Sequence, residues 1–223
     1  MKLRLRLLPM KASVQPVVLS AQSFRGLLVS SILWLGGCSF LPKAVVDPTR
    51  YYLLVATTEG GGVAVVGSPT VVLKTVEVAS YLKVRPLLVR KGGYEIEFKE
   101  YARWGEPLEQ GITRVVREEL AAGGVEVVAG GRAAGPEAAH ELSVRVLACE
   151  GAADGAVNFR AIWRVEKGEG LKPVVASGDF RSNDLRWDGK SEASLAGQLS
   201  RAVVGLAAEV STALKREGGG RSR

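Results

Sequence analysis

Histidine and cysteine are scarce in this chain of 223 residues, which has one histidine, His140, and two cysteines, Cys38 and Cys149. Zinc sites need three or four nitrogen, sulfur or oxygen ligands, and serine hydrolases need a base beside the nucleophile. The sequence has no Cys/His cluster, no Gly-x-Ser-x-Gly motif and no glycine-rich phosphate loop. These absences argue against metalloenzymes, serine hydrolases and nucleotide-binding enzymes. We therefore expect no catalytic residue, no metal site and no cofactor.

Acidic residues are absent before Cys38, whereas this segment holds five basic residues. An apolar run of ten residues follows, from Gly26 to Leu35, which suits the hydrophobic region of an export signal and is too short to span a bilayer. It ends in Leu-Gly-Gly-Cys, which resembles the lipobox of bacterial lipoproteins. The pattern predicts a signal peptide over residues 1–37, cleavage between Gly37 and Cys38, and lipid attachment at Cys38. One alternative is that Cys38 follows the end of a short buried helix by chance. A separate question is the first residue of the precursor, because translation could begin at Met10 rather than at Met1.

Cleavage would remove most of the excess positive charge. The precursor has a formal charge of +7, but the mature chain would have 25 basic and 23 acidic residues, a charge of +2. The high isoelectric point therefore indicates no nucleic-acid partner. Once Cys38 carries a lipid, Cys149 has no disulfide partner, and its apolar surroundings predict a small buried side chain. The covalent lipid is the only non-protein group that we expect.

The mature chain alternates strand and helix patterns. Residues 38–50 contain two prolines and predict the lipidated N-terminus and a tether. Strands are predicted over 51–56, 69–78, 86–90, 94–100, 125–128, 140–148, 156–166 and 173–180. In the strand over 94–100, the side chains of Tyr94, Ile96 and Phe98 share one face, which we expect to be packed.

Two helices complete the pattern. One begins at Pro107 and ends at Gly123 and Gly124, and the other begins near Ser191. We predict one α+β domain over residues 51–216, with a mainly antiparallel β-sheet and both α-helices packed on one face. Residues 217–223 are predicted to be a disordered tail.

Three segments carry a resemblance to a known family. They are Tyr51-Tyr-Leu-Leu54, Tyr81-Leu82 before Pro86, and Trp104-Gly-Glu-Pro-Leu108. Together with the lipobox they resemble the ABC-type transport auxiliary lipoproteins, a family that includes paraquat-inducible protein C. The resemblance implies a lipoprotein anchored in the outer membrane and facing the periplasm. It also implies an accessory role beside an MCE-domain protein and an ABC transporter in lipid transport, with homo-oligomerisation left open.

Four aromatic residues are candidate partner contacts: Tyr51, Tyr52, Trp104 and Trp187. Because Tyr51 and Tyr52 alternate on a strand, one ring should point inward and the other outward. Trp104 could instead cover the core beside the first helix, and Trp187 lies in a polar loop where we expect an exposed ring. Two alternative functions remain: a self-contained periplasmic lipid-binding or chaperone lipoprotein, which needs an apolar cavity, and an envelope hydrolase that uses two carboxylates.

Overall fold

The computed structural model describes residues 46–57, 68–74, 76–129, 140–167 and 173–219. The predicted signal peptide, Gly37, Cys38 and most of the tether lie outside these residues, and so do the last four residues of the predicted tail. Residues 48–223 form one compact unit. This agrees with the prediction of a single folded domain after the tether.

The described residues form nine strands and two α-helices. In chain order these are β1 (Arg50–Tyr52), β2 (Thr70–Leu73), β3 (Glu77–Val78), β4 (Pro86–Lys91), β5 (Glu95–Trp104), α1 (Leu108–Ala122), β6 (Glu126–Ala129), β7 (His140–Ala152), β8 (Val157–Lys167), β9 (Val174–Arg181) and α2 (Glu192–Gly219). A single 3-10 turn, Ser80–Leu82, precedes β4. None of the helices in the described ranges is long and apolar enough to cross a membrane.

Strand β7 organises the sheet. With 13 residues it pairs along one side with β8, and β8 pairs with β9. Along its other side β7 pairs in turn with β2, β3 and β4. Beyond β2 lies β6, and beyond β4 lie β5 and then β1. Strands β1 and β9 therefore lie at opposite edges of the sheet.

The α+β class and the single domain with two helices are confirmed, but the sheet is mixed rather than mainly antiparallel. Five of its eight strand pairings are parallel. Three are antiparallel: β4 with β5, β7 with β8 and β8 with β9. The antiparallel pairs join strands that follow each other in sequence, whereas every parallel pair joins strands separated by other elements. Local alternation indicates which face of a strand is buried, but it carries no information about a distant partner.

The predicted strand over 69–78 is two strands, β2 and β3. Buried side chains occupy odd positions at Val71 and Leu73 and even positions at Val76 and Val78. Since side chains in a strand alternate with a period of two, this change of parity requires an irregular residue between β2 and β3. Both strands still pair with β7, so the interruption keeps all four side chains in the core.

The helices form close to their predicted limits. Pro107 precedes α1, and Gly124 after its end has a φ of 77°, which glycine adopts without steric cost. The Ser191 hydroxyl accepts a hydrogen bond from the amide of Ser194 at 3.4 Å, as expected of an N-cap. Helix α2 runs to Gly219, so residues 217–219 are helical rather than part of the tail. Lys215 and Arg216 favour this extension because cations stabilise the C-terminal end of the helix dipole.

Candidate functional site

The first and third sequence motifs lie side by side in the structure. Strand β1 runs parallel to the end of β5, with Tyr52 opposite Trp104. The amide of Gly105 donates to the carbonyl of Tyr52 at 2.8 Å, which continues the pairing beyond the strand. A Cβ atom on Gly105 would lie 3.1 Å from Cδ2 of Leu53, so the absence of a side chain permits this close approach.

The segment after β1 is attached to both helices. Arg114 of α1 donates from Nη2 to the carbonyl of Leu54 at 2.8 Å and to Oε1 of Glu106 at 2.6 Å. The hydrogen bond to Glu106 raises the pKa of the Arg114 guanidinium. On the other side, the amide of Val55 donates to the Ser200 hydroxyl of α2 at 3.1 Å. These bonds fix the direction of the side chains from 51 to 56.

Side chains in this segment alternate between the core and the surface. Tyr52, Leu54 and Ala56 point inward, and Leu54 is fully buried. Tyr51 points outward, in agreement with the alternation of the two tyrosines in the sequence. We define the β1 edge surface as the exposed apolar side chains of this segment and of the neighbouring strand β5, with their exposed fractions: Tyr51 61%, Leu53 53%, Val55 61%, Phe98 51% and Tyr101 59%.

Two shallow hollows meet beneath the β1 edge surface, because Tyr52 lines both of them. The first has a volume of about 420 Å³ and is lined by Arg50, Phe98 and Tyr101, among others. The second, of about 360 Å³, lies between Leu53 and Val55 and the small residues at the start of α2, which include Ala193 and Gly197. Four of the five side chains of the β1 edge surface therefore line one or the other of these hollows: Phe98 and Tyr101 the first, Leu53 and Val55 the second.

Phe98 and Tyr101 were not identified as contact residues from the sequence. The face formed by Tyr94, Ile96 and Phe98 was expected to be packed, but Tyr94 and Phe98 are exposed and Ile96 is only half-buried. The two helices pack over the other strands, against β3, β6, β7, β8 and β9. An alternating strand with aromatic residues looks the same in sequence whether its apolar face meets the core or a partner.

Trp104 and Trp187 are structural in this fold. Trp104 is 5% exposed, in agreement with its alternative interpretation as a core residue beside α1. Trp187 is 6% exposed, so the expected exposed ring is a core ring instead. Its indole Nε1 donates to the carbonyl of Ala152 at 3.1 Å, and its backbone amide donates to the carbonyl of Gly155 at 2.9 Å. The polar loop folds back over the end of β7, and this long-range contact leaves no local signal in the sequence.

The second motif leads to a buried carboxylate. Glu150, on β7, is completely buried. Its Oε1 accepts a hydrogen bond from Nε of Arg90 at 2.7 Å, and its Oε2 accepts one from the Tyr81 hydroxyl at 2.7 Å. Asn158 donates to Oε1 at 2.9 Å. Burial and the bond to Glu150 raise the pKa of Tyr81, and the same carboxylate raises that of Arg90. Because both oxygens have donors, the cluster is a satisfied polar network rather than an open site.

Among the described residues, no three His, Cys, Asp or Glu side chains lie close enough together to hold a metal ion. Burial raises the pKa of the Cys149 thiol well above its usual value, in agreement with its prediction as a buried small side chain. A further hollow, of about 1220 Å³, is an open groove with charged residues such as Arg114 and Arg164 in its lining.

Comparison with known proteins identifies the family. The family described as ABC-type transport auxiliary lipoprotein component matches residues 51–211. The chain belongs to this family. The match covers all three motifs and nearly the whole domain, which confirms the resemblance seen in the sequence. No curated protein matches the sequence.

Two solved structures share the fold of this transport auxiliary lipoprotein. One is a crystal structure of an uncharacterized protein, with a TM-score of 0.60, 17% identity, and coverage of 74% of this chain and 97% of that one. The other is protein XCC0632 from Xanthomonas campestris, described as a DUF330 protein, with a TM-score of 0.58 and 17% identity. That match covers 73% of this chain and 93% of the other. At this identity the likeness concerns the fold alone.

Proposed function

We propose that this chain is the lipid-anchored, non-catalytic accessory subunit of an MCE- and ABC-type system that moves phospholipids between the membranes of the cell envelope. Cys38 carries the lipid, the domain faces the periplasm, and the anchor lies in the outer membrane. The observation that carries the proposal is membership of a transport auxiliary lipoprotein family, matched over residues 51–211. Ser39, directly after Cys38, is not the aspartate that retains enteric lipoproteins in the inner membrane, which supports the outer membrane.

An accessory role fits the geometry better than a self-contained lipid carrier. A carrier needs an apolar chamber, but the space between sheet and helices is filled by large side chains such as Phe159, Trp163 and Leu206. Small residues of α2, such as Ala202 and Ala207, are buried and bring the helix close to the sheet. The lipid path would therefore belong to the partner proteins.

The partnership is tested by purification of the full chain from its own membranes. A tag after Arg223, solubilisation in mild detergent and mass spectrometry should recover an MCE-domain protein and the subunits of an ABC transporter. Deletion of the gene should raise envelope permeability to a hydrophobic dye. Recovery without such partners, together with unchanged permeability, would contradict the proposal. Phospholipid bound to the monomer in native mass spectrometry would favour the self-contained carrier.

The anchor is tested with a pair of cysteine variants. Cys38→Ala should abolish incorporation of labelled fatty acid, move the protein to the soluble fraction and fail to restore the permeability barrier. Cys149→Ala is the matched control and should remain acylated and membrane-bound, because its thiol is buried in the core. Separation of inner and outer membranes by density then tests the location. Equal behaviour of the two variants would exclude Cys38 as the anchor.

A further inference from the structure

We propose that the β1 edge surface is the face with which this domain rests on the membrane leaflet that holds its own lipid. The inference rests on the proposed anchor at Cys38 and adds an orientation to it. The occupant of the surface is the bilayer interface, with Tyr51 and Tyr101 at headgroup level and Leu53, Val55 and Phe98 in contact with the acyl-chain boundary.

The position of the anchor supports this orientation. From Cys38 to Arg50 the chain has twelve residues, which can span at most about 40 Å. A domain of this size has a radius of gyration of about 16 Å. This corresponds to a diameter of about 40 Å, so the tether at full reach is about as long as the domain is wide, and it enters the fold at β1. The side chains held nearest to the bilayer are those at the root of the tether, where the β1 edge surface begins at Tyr51.

The two edges of the sheet differ in chemistry. At the β1 edge five large apolar or aromatic side chains are exposed, with Arg50 and Glu100 exposed beside them. At the β9 edge the outward side chains after Val174 are polar or charged: Ser177, Asp179 and Arg181. There Asp179 pairs with Arg160 and Arg181 at 2.7 and 3.3 Å. Exposed apolar side chains that cluster at one edge mark a contact surface, whereas scattered ones need no explanation.

The residue types suit an interface between hydrocarbon and water. Tyrosine is enriched at the headgroup level of membranes because its ring is apolar and its hydroxyl is polar. The charged residues nearby have both signs: Arg50 and Arg201 are positive, and Glu100 and Glu192 are negative. Contact with the bilayer should therefore depend on apolar burial rather than on anionic lipid, and it should be insensitive to salt.

The tether also explains why so small a surface is sufficient. A link of twelve residues holds the domain at a high local concentration relative to the bilayer, so a weak affinity is enough to keep the surface docked. A protein partner could bind any face of the domain, whereas the bilayer meets the face at the root of the tether before any other face. This difference favours the membrane as the occupant.

The test uses the mature chain, residues 38–223, coupled through the Cys38 thiol to a maleimide lipid in phosphatidylcholine vesicles. Cys149 does not compete, because it is buried. Tyr51→Trp and Tyr101→Trp are the probes, and Val174→Trp, at an exposed position on the opposite edge, is the matched control. The buried native tryptophans give the same background in each variant. With brominated acyl chains, quenching at the probes should exceed that at the control by about twofold or more and persist in high salt.

Several outcomes would overturn the inference. Equal quenching at Tyr51→Trp and Val174→Trp would show that the domain does not use this face on the membrane. Quenching lost in high salt would indicate attraction between charges instead. If the probes respond only when a second copy or the purified transport partner is added, the surface belongs to a protein interface.

The vesicle experiment is independent of lipidation in the cell, because the coupling is chemical. Absence of labelled fatty acid on Cys38 in cells would remove the proposed anchor while leaving the vesicle result intact. Conversely, an acylated Cys38 with unquenched probes would leave the proposed function standing and remove the orientation.

Discussion

At the scale of single residues, Glu150 shows how a charge can occupy the interior of this fold. A buried carboxylate is costly unless its oxygens accept hydrogen bonds. Here Arg90 brings a positive charge, and Tyr81 and Asn158 supply further donors. The Tyr81 hydroxyl oxygen also lies 3.1 Å from the carbonyl oxygen of Leu147, beside the irregular position of β7. The motif tyrosine therefore has a structural role: it links the turn before β4 to the strand at the centre of the sheet.

Tyr81→Phe should lower the free energy of unfolding by about 1–3 kcal/mol, because the buried Glu150 carboxylate loses a donor. Tyr51→Phe, the same change at an exposed ring, should change it by less than about 0.5 kcal/mol. Urea unfolding of the chain from Pro48 onward measures both values. If the two variants are equally stable, the Tyr81 hydroxyl does not support the carboxylate.

Stability should fall in alkali because Tyr81 and Cys149 both have raised pKa values in the folded state. In the unfolded chain the thiol ionises near pH 8.5 and the phenol near pH 10. Below these pH values both groups are protonated in the folded and in the unfolded chain, so the free energy of unfolding is not reduced. Above them each favours unfolding by about 1.4 kcal/mol per pH unit until the folded group also ionises.

Urea unfolding from about pH 8 to about pH 11 checks this dependence. In Cys149→Ala the decline should begin near pH 10 rather than near pH 9, since only the Tyr81 contribution remains. An unchanged onset in Cys149→Ala would mean that the thiol is not responsible for the first part of the decline.

At the scale of elements, the close packing of α2 on the sheet depends on positions without bulky side chains. Gly178 of β9 lies against the indole of Trp163, whose Nε1 donates to Glu209 of α2 at 2.7 Å. A Cβ atom on Gly178 would be 2.6 Å from that nitrogen and 2.8 Å from Oε1 of Glu209. No real Cβ contact is that short, so a side chain at this position must displace the ring or the helix.

Gly178→Ala should therefore destabilise the domain by about 1–3 kcal/mol through overpacking. Gly197→Ala, the same substitution at a position of α2 with nothing within 4 Å, should stabilise it by about 0.5–1 kcal/mol through the higher helix propensity of alanine. Thermal unfolding followed by circular dichroism distinguishes the two. A neutral Gly178→Ala would mean that Trp163 and Glu209 move aside without cost.

At the scale of the whole molecule, the short strand β1 has a large effect because it extends the sheet and leads Leu54 into the core. Its register places Tyr51 opposite Arg103 and Tyr52 opposite Trp104. After β1 the backbone is hydrogen-bonded to both helices. The Leu54 carbonyl accepts from Arg114 of α1, and the Val55 amide donates to the Ser200 hydroxyl of α2. The segment that follows the tether is thus part of the fold, and a load on the anchor would act directly on the domain.

A chain that begins at Val55 should be less stable than one that begins at Pro48 by about 2–5 kcal/mol, because it lacks the buried Leu54 and leaves one side of β5 unpaired. The chain from Pro48 with Tyr51→Ser is the control, and it should lose less than about 0.5 kcal/mol. Guanidinium unfolding monitored by tryptophan fluorescence measures the difference. Equal stability of the two truncated chains would show that β1 is an addition to the fold rather than a part of it.

The sequence by itself determined the features that depend on local periodicity and local chemistry. Alternation located the inward positions of β8, the helical spacing located α1 and α2, and the family motifs were recognisable because they are short and contiguous. The tertiary structure alone decided which distant strands pair in parallel and that Trp187 turns into the core. It alone brought Tyr81 and Arg90 to Glu150, and left Phe98 and Tyr101 uncovered beside β1. These features depend on contacts between residues far apart in the chain, and such contacts are selected by the packing of the whole domain, not by the neighbours of any one residue.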